Sequence, residues 1–481
     1  MPDPKPDTSP ENAGHSEPSQ PTGLPMVSPP DPAALAEQVA WLETVEQQST
    51  PRRWAAYLRR GGPGYLQAAL TLGGGSASAS LLAGATFGYD LLWVPWTGML
   101  LGVIVLSAVA HQTLSTGMRP MEAVREYAGP VFAYGWAAGA LLSSIVWHFA
   151  QYALASAVLV DLADAFGMTL SRGGAGLAVL AWAVCSVQLS YGRSRWAGRF
   201  DQVLKLLVWM IIGCFAMVVV KTGIPDWGAL FDGMFGFKIP DDRGDLSGRA
   251  LVITGLASAV VVNMVFLYPY TLLARGWGRT HRRLARFDLV AGLLVPYVLA
   301  TGLMIVATAN TLYASGEFAG MKFGPVDAAH ILEGTVGPVA GRILFDVGIL
   351  GMVLTTITMH MLCAGFATGE MAGWKVGSRP WRWALLLPVP GVLGAWWWKE
   401  LSVWVAVPTS ILSGLMLPLA YLAFVKLQRS RAYLGDDLPR GGRGVPWMGA
   451  LVLSTLIVTA FLVWYGVTEG PGFVERLFDG V

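Results

Sequence analysis

A run of glycine and serine interrupts the first long apolar segment of the chain. Residues 73–80 read Gly-Gly-Gly-Ser-Ala-Ser-Ala-Ser, in the middle of a segment long enough to cross a bilayer. Each glycine lowers helix stability by about 1 kcal/mol relative to alanine. Irregular backbone at bilayer depth is tolerated only where protein or water satisfies its polar groups, and secondary transporters build their binding sites from such broken helices. The tract therefore predicts a solute transporter whose first helix is broken at its site.

The composition of this 481-residue chain is typical of a membrane protein. Hydrophobic residues make up 54% of it and charged residues 13%, against roughly 25% charged residues in soluble domains. Eleven apolar stretches approach or exceed the ~20 residues that a spanning helix needs. Their approximate limits are 64–88, 90–114, 130–163, 172–191, 201–222, 250–274, 287–311, 338–371, 380–397, 401–427 and 445–467. A net charge of +2 gives no support to nucleic-acid binding.

The sixth segment carries an interruption that matches the one in the first. Asn263, Tyr268, Pro269 and Tyr270 lie within an otherwise apolar run, and a proline inside a helix removes a hydrogen bond and forces a kink. Segments one and six are five apart, and the eleven segments divide into five, five and one. Interruptions at matching positions of two halves are typical of inverted-repeat transporters. We expect an all-α polytopic membrane protein with a 5+5 inverted repeat and broken helices 1 and 6.

The polar regions predict the domains and the orientation. Residues 1–32 are rich in proline and should be disordered, and residues 33–62 form an amphipathic and basic juxtamembrane segment. Residues 63–429 hold the transporter core, followed at 430–481 by an inner loop, the eleventh helix and a short C-terminus. If the N-terminus is cytoplasmic, the inner loops carry most of the Lys and Arg residues. The sequence thus predicts a cell-membrane protein with its N-terminus inside and its C-terminus outside.

Several stretches, among them AGATFGYDLLW (83–93) and residues 327–371, resemble the Nramp family of divalent-metal transporters. GPGYLQAALTLGGGS (62–76) is similar to the entry of the family's first helix, and AGATFGYDLLW (83–93) to the turn between its first two helices. The stretch 327–371 resembles the eighth helix, LSGLMLPLAY (412–421) resembles the tenth, and Asp288 matches an acidic residue that opens the seventh. The resemblance implies the fold of the LeuT-like amino-acid transporters and, as the usual activity, proton-coupled import of divalent metal ions.

The differences from that family fall on the metal site. The family's first helix binds metal through an Asp-Pro-Gly-Asn motif, which is replaced here by residues 73–76, Gly-Gly-Gly-Ser. The Met-Pro-His motif of its sixth helix corresponds to residues 261–263, Val-Val-Asn, and a second family histidine corresponds to Tyr268. Divalent metal ions prefer the anionic or soft ligands that are missing here. We therefore expect metal transport, if any, to be weak and poorly selective, without tight manganese or iron binding.

Because the family's metal ligands are replaced, the candidate substrate-binding residues have no charged side chains. They are Gly73, Gly74, Gly75, Ser76, Asn263 and Tyr268. Exposed N–H groups at a glycine tract suit an anion, its carbonyl groups suit a partly hydrated cation, and small side chains leave room for an organic solute. Close packing of neighbouring helices is the competing structural interpretation of the glycines.

Other ionisable residues within the segments have predicted roles as well. His148 and His360 are the candidates for proton coupling, because ionisable groups inside a membrane are usually functional. Asp346 follows Arg342 by four residues, so the two are expected to form an ion pair near the outer end of the eighth helix.

Three functional interpretations remain open from the sequence. The first is a secondary active metal-cation transporter with an altered site, the second a transporter of a small organic solute on the same fold, and the third a membrane sensor or scaffold. An enzyme is not expected, since no catalytic triad motif, phosphate loop or HExxH motif occurs. No cofactor is expected. The expected partners are a divalent metal cation or small solute, protons and membrane lipid, without nucleic acid.

Overall fold

The computed structural model of the chain describes residues 32–60, 62–189, 194–244, 246–316, 337–397 and 406–478. Within these ranges the backbone is helical, and extended pairing is limited to one isolated bridge between Arg243 and Leu246. The predicted disordered tail lies outside the described residues, except for Pro32 at its end.

The helices are numbered in chain order. They are α1 (Pro32–Glu46), α2 (Thr50–Arg60), α3 (Pro63–Thr71), α4 (Gly74–Phe87), α5 (Trp93–Thr116), α6 (Pro120–Ala123), α7 (Pro130–Ala165), α8 (Arg172–Leu189), α9 (Ser194–Thr222), α10 (Trp227–Phe235), α11 (Gly248–Ala259), α12 (Val262–Ala274), α13 (Arg282–Asp288), α14 (Val295–Thr308), α15 (Pro338–Ala372), α16 (Arg379–Ala384), α17 (Gly394–Trp397), α18 (Ala406–Gly414), α19 (Leu417–Gln428), α20 (Arg431–Leu434) and α21 (Gly441–Phe478). Short π-helical turns at Val124–Ala128, Leu289–Leu294 and Ala309–Tyr313, and 3₁₀ turns at Arg279–His281, Val389–Leu393 and Gly435–Asp437, complete the described elements.

Two helices, α1 and α2, precede the first apolar segment and contact α13, which leads into the seventh apolar segment. Glu46 at the end of α1 accepts hydrogen bonds from the Tyr57 hydroxyl of α2 and from the Arg283 guanidinium of α13. Burial favours the protonated form of Glu46, but these two hydrogen bonds together with the positive charges of Arg283 and Arg53 outweigh it and lower the pKa of the carboxyl group. The basic helix α2 is thereby held beside α13, directly before α3 begins at Pro63.

The first apolar segment folds as two half-helices, as the glycine tract predicts. α3 and α4 are separated at Leu72 and Gly73, and Gly73 is extended, with φ −72° and ψ −169°. The break lies at the front of the tract, because residues 74–76 already form the first turn of α4.

The sixth segment is also broken, but earlier than its proline suggests. α11 and α12 flank Val260 and Val261, which are both extended, and Pro269 lies inside α12. Two consecutive β-branched residues favour extended backbone. Membrane helices tolerate an internal proline, since neighbouring groups satisfy the backbone atoms that it frees.

Seven helical stretches among the described residues are long and apolar enough to cross a membrane. They are Trp93–Thr116, Pro130–Ala165, Gly248–Ala274, Arg279–Tyr313, Gly341–Ala372, Val407–Gln428 and Gly444–Val467. The count of eleven spans therefore stays a prediction. The ninth predicted segment, 380–397, is divided into α16, a 3₁₀ turn and α17, because Pro388 and Pro390 prevent a continuous helix.

Candidate functional site at the two helix breaks

The C-terminal ends of α3 and α11 meet where the two segments break. Thr71, the last residue of α3, directs its hydroxyl group at the main-chain oxygens of Ser258 (2.7 Å) and Ala259 (2.8 Å) at the end of α11. Ser76 donates to the main-chain oxygen of Thr71 and lies 3.3 Å from that of Ser258. A helix C-terminus carries about half a negative charge. Two such ends side by side create a potential that favours a cation.

A small cavity lies beside this junction, with an empty volume of about 230 Å³. Its lining consists of Leu70, Thr71, Gly73, Gly75, Ser76, Trp147, Gln151, Ser258, Val261, Thr356 and His360. Among these lining residues, all of them in the described part of the chain, no side chain is a carboxylate or a thioether. The available donors are hydroxyl, amide, imidazole and main-chain groups. Such neutral oxygen donors suit a cation that keeps part of its water.

A second cavity shares Ser76 and Ser258 with the first. It has an empty volume of about 270 Å³ and extends between α4, α5, α11 and α14. Tyr297 of α14 lines it, and its hydroxyl group lies near both serines. The two serines therefore line both cavities.

The glycine tract also serves close packing. A Cβ atom added to Gly75 would lie 2.2 Å from the Trp147 ring of α7, and one added to Gly73 would lie 2.6 Å from Thr356 Oγ1 of α15. These distances are shorter than van der Waals contact. The helices α7 and α15 therefore reach the break only because Gly73 and Gly75 have no side chains. The packing interpretation and the site interpretation of the glycines thus apply to the same residues.

The predicted binding residues of the first apolar segment lie at the cavity, whereas those of the sixth segment do not. Gly73, Gly75 and Ser76 line the cavity, whereas Gly74 donates its N–H to Gln151 Oε1 at 3.4 Å. The other two candidates lie on α12 and outside that lining.

Asn263 and Tyr268 are both fully buried on α12. Asn263 Oδ1 accepts the N–H of Met264 at 3.2 Å. Asn263 Nδ2 and the Tyr268 hydroxyl have no hydrogen-bond partner within the described part of the chain. Buried polar groups without partners are uncommon in folded proteins, so these two atoms stand out among the described residues for their unused hydrogen-bonding capacity.

The two predicted histidines are neighbours across the α7–α15 interface. Their ring centroids lie 5.7 Å apart, and both side chains are buried. His148 Nδ1 lies 2.9 Å from the Ser144 carbonyl oxygen and donates to it, which leaves Nε2 as a lone-pair acceptor. This Nε2 and His360 Nδ1 have no partner among the described residues. His360 lines the cavity, so the pair connects the cavity to the interface behind it.

Thr71 and Ser258 lie at the candidate site without having been predicted from the sequence. A single hydroxyl residue in a long apolar run is common, and its position relative to a break is visible only once the break is known. The usable signal is a Ser or Thr in the last turn before an interruption, present here in both halves.

Replacing Thr71 with valine should lower the melting temperature of the purified protein. Two carbonyl groups at the break would lose their donor, which costs about 1–3 kcal/mol. Thr86→Val is the matched control, because the Thr86 hydroxyl is buried without a partner among the described residues. Equal melting temperatures for the two variants would contradict a structural role of the Thr71 hydroxyl.

Sequence comparisons agree with the resemblance. The sequence model of the family described as "Natural resistance-associated macrophage protein-like" (Nramp) matches residues 64–465. The divalent metal cation transporter MntH 1 of Pseudomonas aeruginosa is 25% identical over 448 residues, which cover 90% of this chain and 97% of that protein. The MntH protein of Agrobacterium fabrum is 24% identical over 451 residues, covering 91% and 93%.

Solved transporter structures share the fold. The manganese transporter of Eremococcus coleocola superposes with a TM-score of 0.68 at 15% identity, covering 89% of this chain and 94% of that one. Mhp1, a nucleobase-cation-symport-1 family transporter, gives a TM-score of 0.51 at 14% identity, covering 88% and 96%. The predicted all-α, LeuT-like fold, in which the first and sixth apolar segments are broken, is therefore confirmed. Because the family's sequence model spans most of its length, the chain belongs to the Nramp family of membrane transporters.

Proposed function

We propose that this chain is a secondary active transporter of divalent metal cations. The cation passes between the two helix breaks, the one between α3 and α4 and the one between α11 and α12. The observation that carries the proposal is the junction of two helix C-terminal ends, where Thr71 contacts the last carbonyl groups of α11. Such ends and their carbonyl oxygens favour a cation over an anion. Relatives named as divalent metal cation transporters support a metal ion as the cargo.

The proposed ligands are oxygen atoms around the junction. Ser258 offers its main-chain oxygen, and the hydroxyl groups of Thr71, Ser76 and Thr356 point at neighbouring carbonyl groups. Each carbonyl oxygen has two lone pairs, so a carbonyl that accepts a hydroxyl hydrogen can also bind a cation. Asn263 and Tyr268 remain predicted contacts, for the water of a hydrated ion rather than for the ion itself.

The neutral ligand set determines the proposed selectivity. Without a carboxylate in the cavity lining, the ion keeps its full charge and benefits from retaining water molecules. Without a thioether, nothing in that lining discriminates in favour of soft transition metals. We therefore expect manganese, magnesium and calcium to compete for the same site at similar concentrations.

Protons and lipid are the remaining proposed partners. His148 and His360 are proposed to take part in proton coupling, because two adjacent buried imidazoles cannot both carry a charge cheaply. Lipid surrounds the apolar helices, and the basic helix α2 is proposed to lie at the cytoplasmic surface. The orientation with the N-terminus inside and the C-terminus outside rests on the distribution of Lys and Arg residues alone.

Uptake into proteoliposomes tests the proposal. Purified protein is reconstituted, and the entry of Mn²⁺, Mg²⁺, Ca²⁺ and Zn²⁺ is compared with that of a panel of amino acids. Metal entry above that of empty vesicles, with no amino-acid entry, is the expected result. Amino-acid uptake without metal uptake would favour the organic-solute alternative, for which the cavity between the breaks is small. Transport of neither class would favour the sensor or scaffold.

A further inference from the structure

A second cluster of charged side chains lies on α7 and α15, away from the helix breaks. Arg342 donates from Nε to Asp161 Oδ2 at 2.9 Å and from Nη2 to Asp161 Oδ1, and Nη2 also donates to Asp164 at 2.9 Å. The predicted ion pair between Arg342 and Asp346 is not formed. Long side chains on a helix lean toward its N-terminus, so Arg342 reaches across to α7 and away from Asp346.

Asp346 is therefore a carboxyl group without a cationic partner. Its exposed fraction is 0%, and neither of its oxygen atoms has an N–H or O–H donor among the described residues. The carboxyl group of Asp161, itself only 4% exposed, lies within hydrogen-bonding reach of it. A buried, unpaired carboxylate beside a second carboxylate is strongly disfavoured. A proton on Asp346 removes that charge and lets Asp346 donate to Asp161.

We propose that Asp161 and Asp346 form a proton-binding site, in which one proton is held between the two carboxyl groups and serves as the coupling ion of transport. Binding forms one O–H bond on Asp346, and release returns the proton to water. The coupling role rests on the proposed transport function, whereas proton binding itself does not.

The charged surroundings of this carboxyl pair come from four helices. Asp161 and Arg342 are the charged groups that act on Asp346. The other charged residues at this end of the helices that pack on α7 and α15, within the described ranges, are Asp164, Arg172 at the start of α8 and Lys221 near the end of α9. The guanidinium of Arg342 is already shared between Asp161 and Asp164, so its charge compensates that of Asp346 only in part.

The position of the carboxyl pair links its proton to the conformation of the transporter. Asp164 and Arg342 have side chains that are 73% and 23% exposed, so the buried pair lies just beneath the surface. Separation of α7 from α15 at this end would hydrate Asp346 and allow it to ionise, and closure would favour the protonated form. His148 and His360 lie on the same two helices about 20 Å away, at about 1.5 Å per residue. The carboxyl pair is thus a separate proton site.

Infrared difference spectroscopy tests proton binding without any cargo. The purified protein in lipid nanodiscs is titrated with base, and the absorption of protonated carboxyl groups is followed. A component that disappears on titration should be present in the unmodified protein and in Asp164→Asn, which changes only the exposed partner of Arg342. The same component should be missing in Asp346→Asn. An unchanged carboxyl band in Asp346→Asn would overturn the proposed site.

Uptake at different pH values tests the coupling role. Asp346→Asn, which imitates the protonated form, should lose at least about fivefold of its gradient-driven metal accumulation and its pH dependence, while equilibrium metal binding stays unchanged. A wild-type pH profile in this variant would overturn the coupling role. If the unmodified protein moved no metal at all, the proposed function would fail while the infrared result still decided the proton site.

Discussion

Restoring the family's metal ligands should raise the manganese affinity of this protein by about 100-fold, provided that Thr356 is shortened at the same time. The variant combines Gly73→Asp, Ser76→Asn and Val261→Met with Thr356→Ala. It places a carboxylate, an amide and a thioether at the positions of the family's metal ligands, and changes outside the ligand shell already alter metal affinity by about 10–100-fold. Thr356→Ala is needed because a Cβ on Gly73 would lie 2.6 Å from Thr356 Oγ1. The fall of the electron paramagnetic resonance signal of free Mn²⁺ measures the affinity.

A control variant with the same bulk separates charge from shape. It carries Gly73→Asn in place of Gly73→Asp, with the other three changes kept. Its affinity should stay close to that of the unmodified protein, because an amide adds no anionic ligand. An equal rise in both variants would show that the carboxylate is irrelevant, and no rise in either variant would contradict the location of the cation at the breaks.

Filling the cavity with a larger side chain should reduce metal uptake more than tenfold. Val261 lies in the extended linker between α11 and α12 and lines the cavity. In Val261→Phe the ring would occupy the space next to Ser258 without interrupting either half-helix. Initial uptake rates in proteoliposomes measure the effect, after equal folding is established by size-exclusion chromatography.

The matched control for this variant is Val290→Phe, since Val290 is 45% exposed. It should transport at the wild-type rate. Wild-type uptake by Val261→Phe as well would mean that the cation takes another route. A leucine at Gly75 would be a poorer test, because it would also collide with the Trp147 ring and disturb helix packing.

The fold could be predicted from the sequence because its main signals are local. The glycine tract marks the first break, and the matching interruption in the sixth segment indicates the inverted repeat. The second break was misplaced toward Pro269, which lies inside α12, whereas Val260 and Val261 are the extended residues. A membrane helix whose neighbours satisfy its backbone can contain a proline, so proline alone does not locate a break.

The details of the site depend on contacts between distant parts of the chain, which the sequence does not display. The Thr71 hydroxyl reaches the last carbonyl groups of α11, on a different half of the repeat. Arg342 likewise pairs with Asp161 on the neighbouring helix α7 and not with Asp346 on its own helix. Helical spacing shows which residues share a face, but not which neighbouring helix offers the better partner.

Competition between manganese and calcium for the unmodified protein tests the central claim most directly. If a cation is held at the helix breaks by neutral oxygen ligands alone, manganese should bind with a Kd of about 0.1–1 mM, the range of weak oxygen-ligand sites. Calcium should then displace it at similar concentrations, as followed by the electron paramagnetic resonance signal of released Mn²⁺. Micromolar manganese binding that zinc displaces and calcium does not would contradict the account.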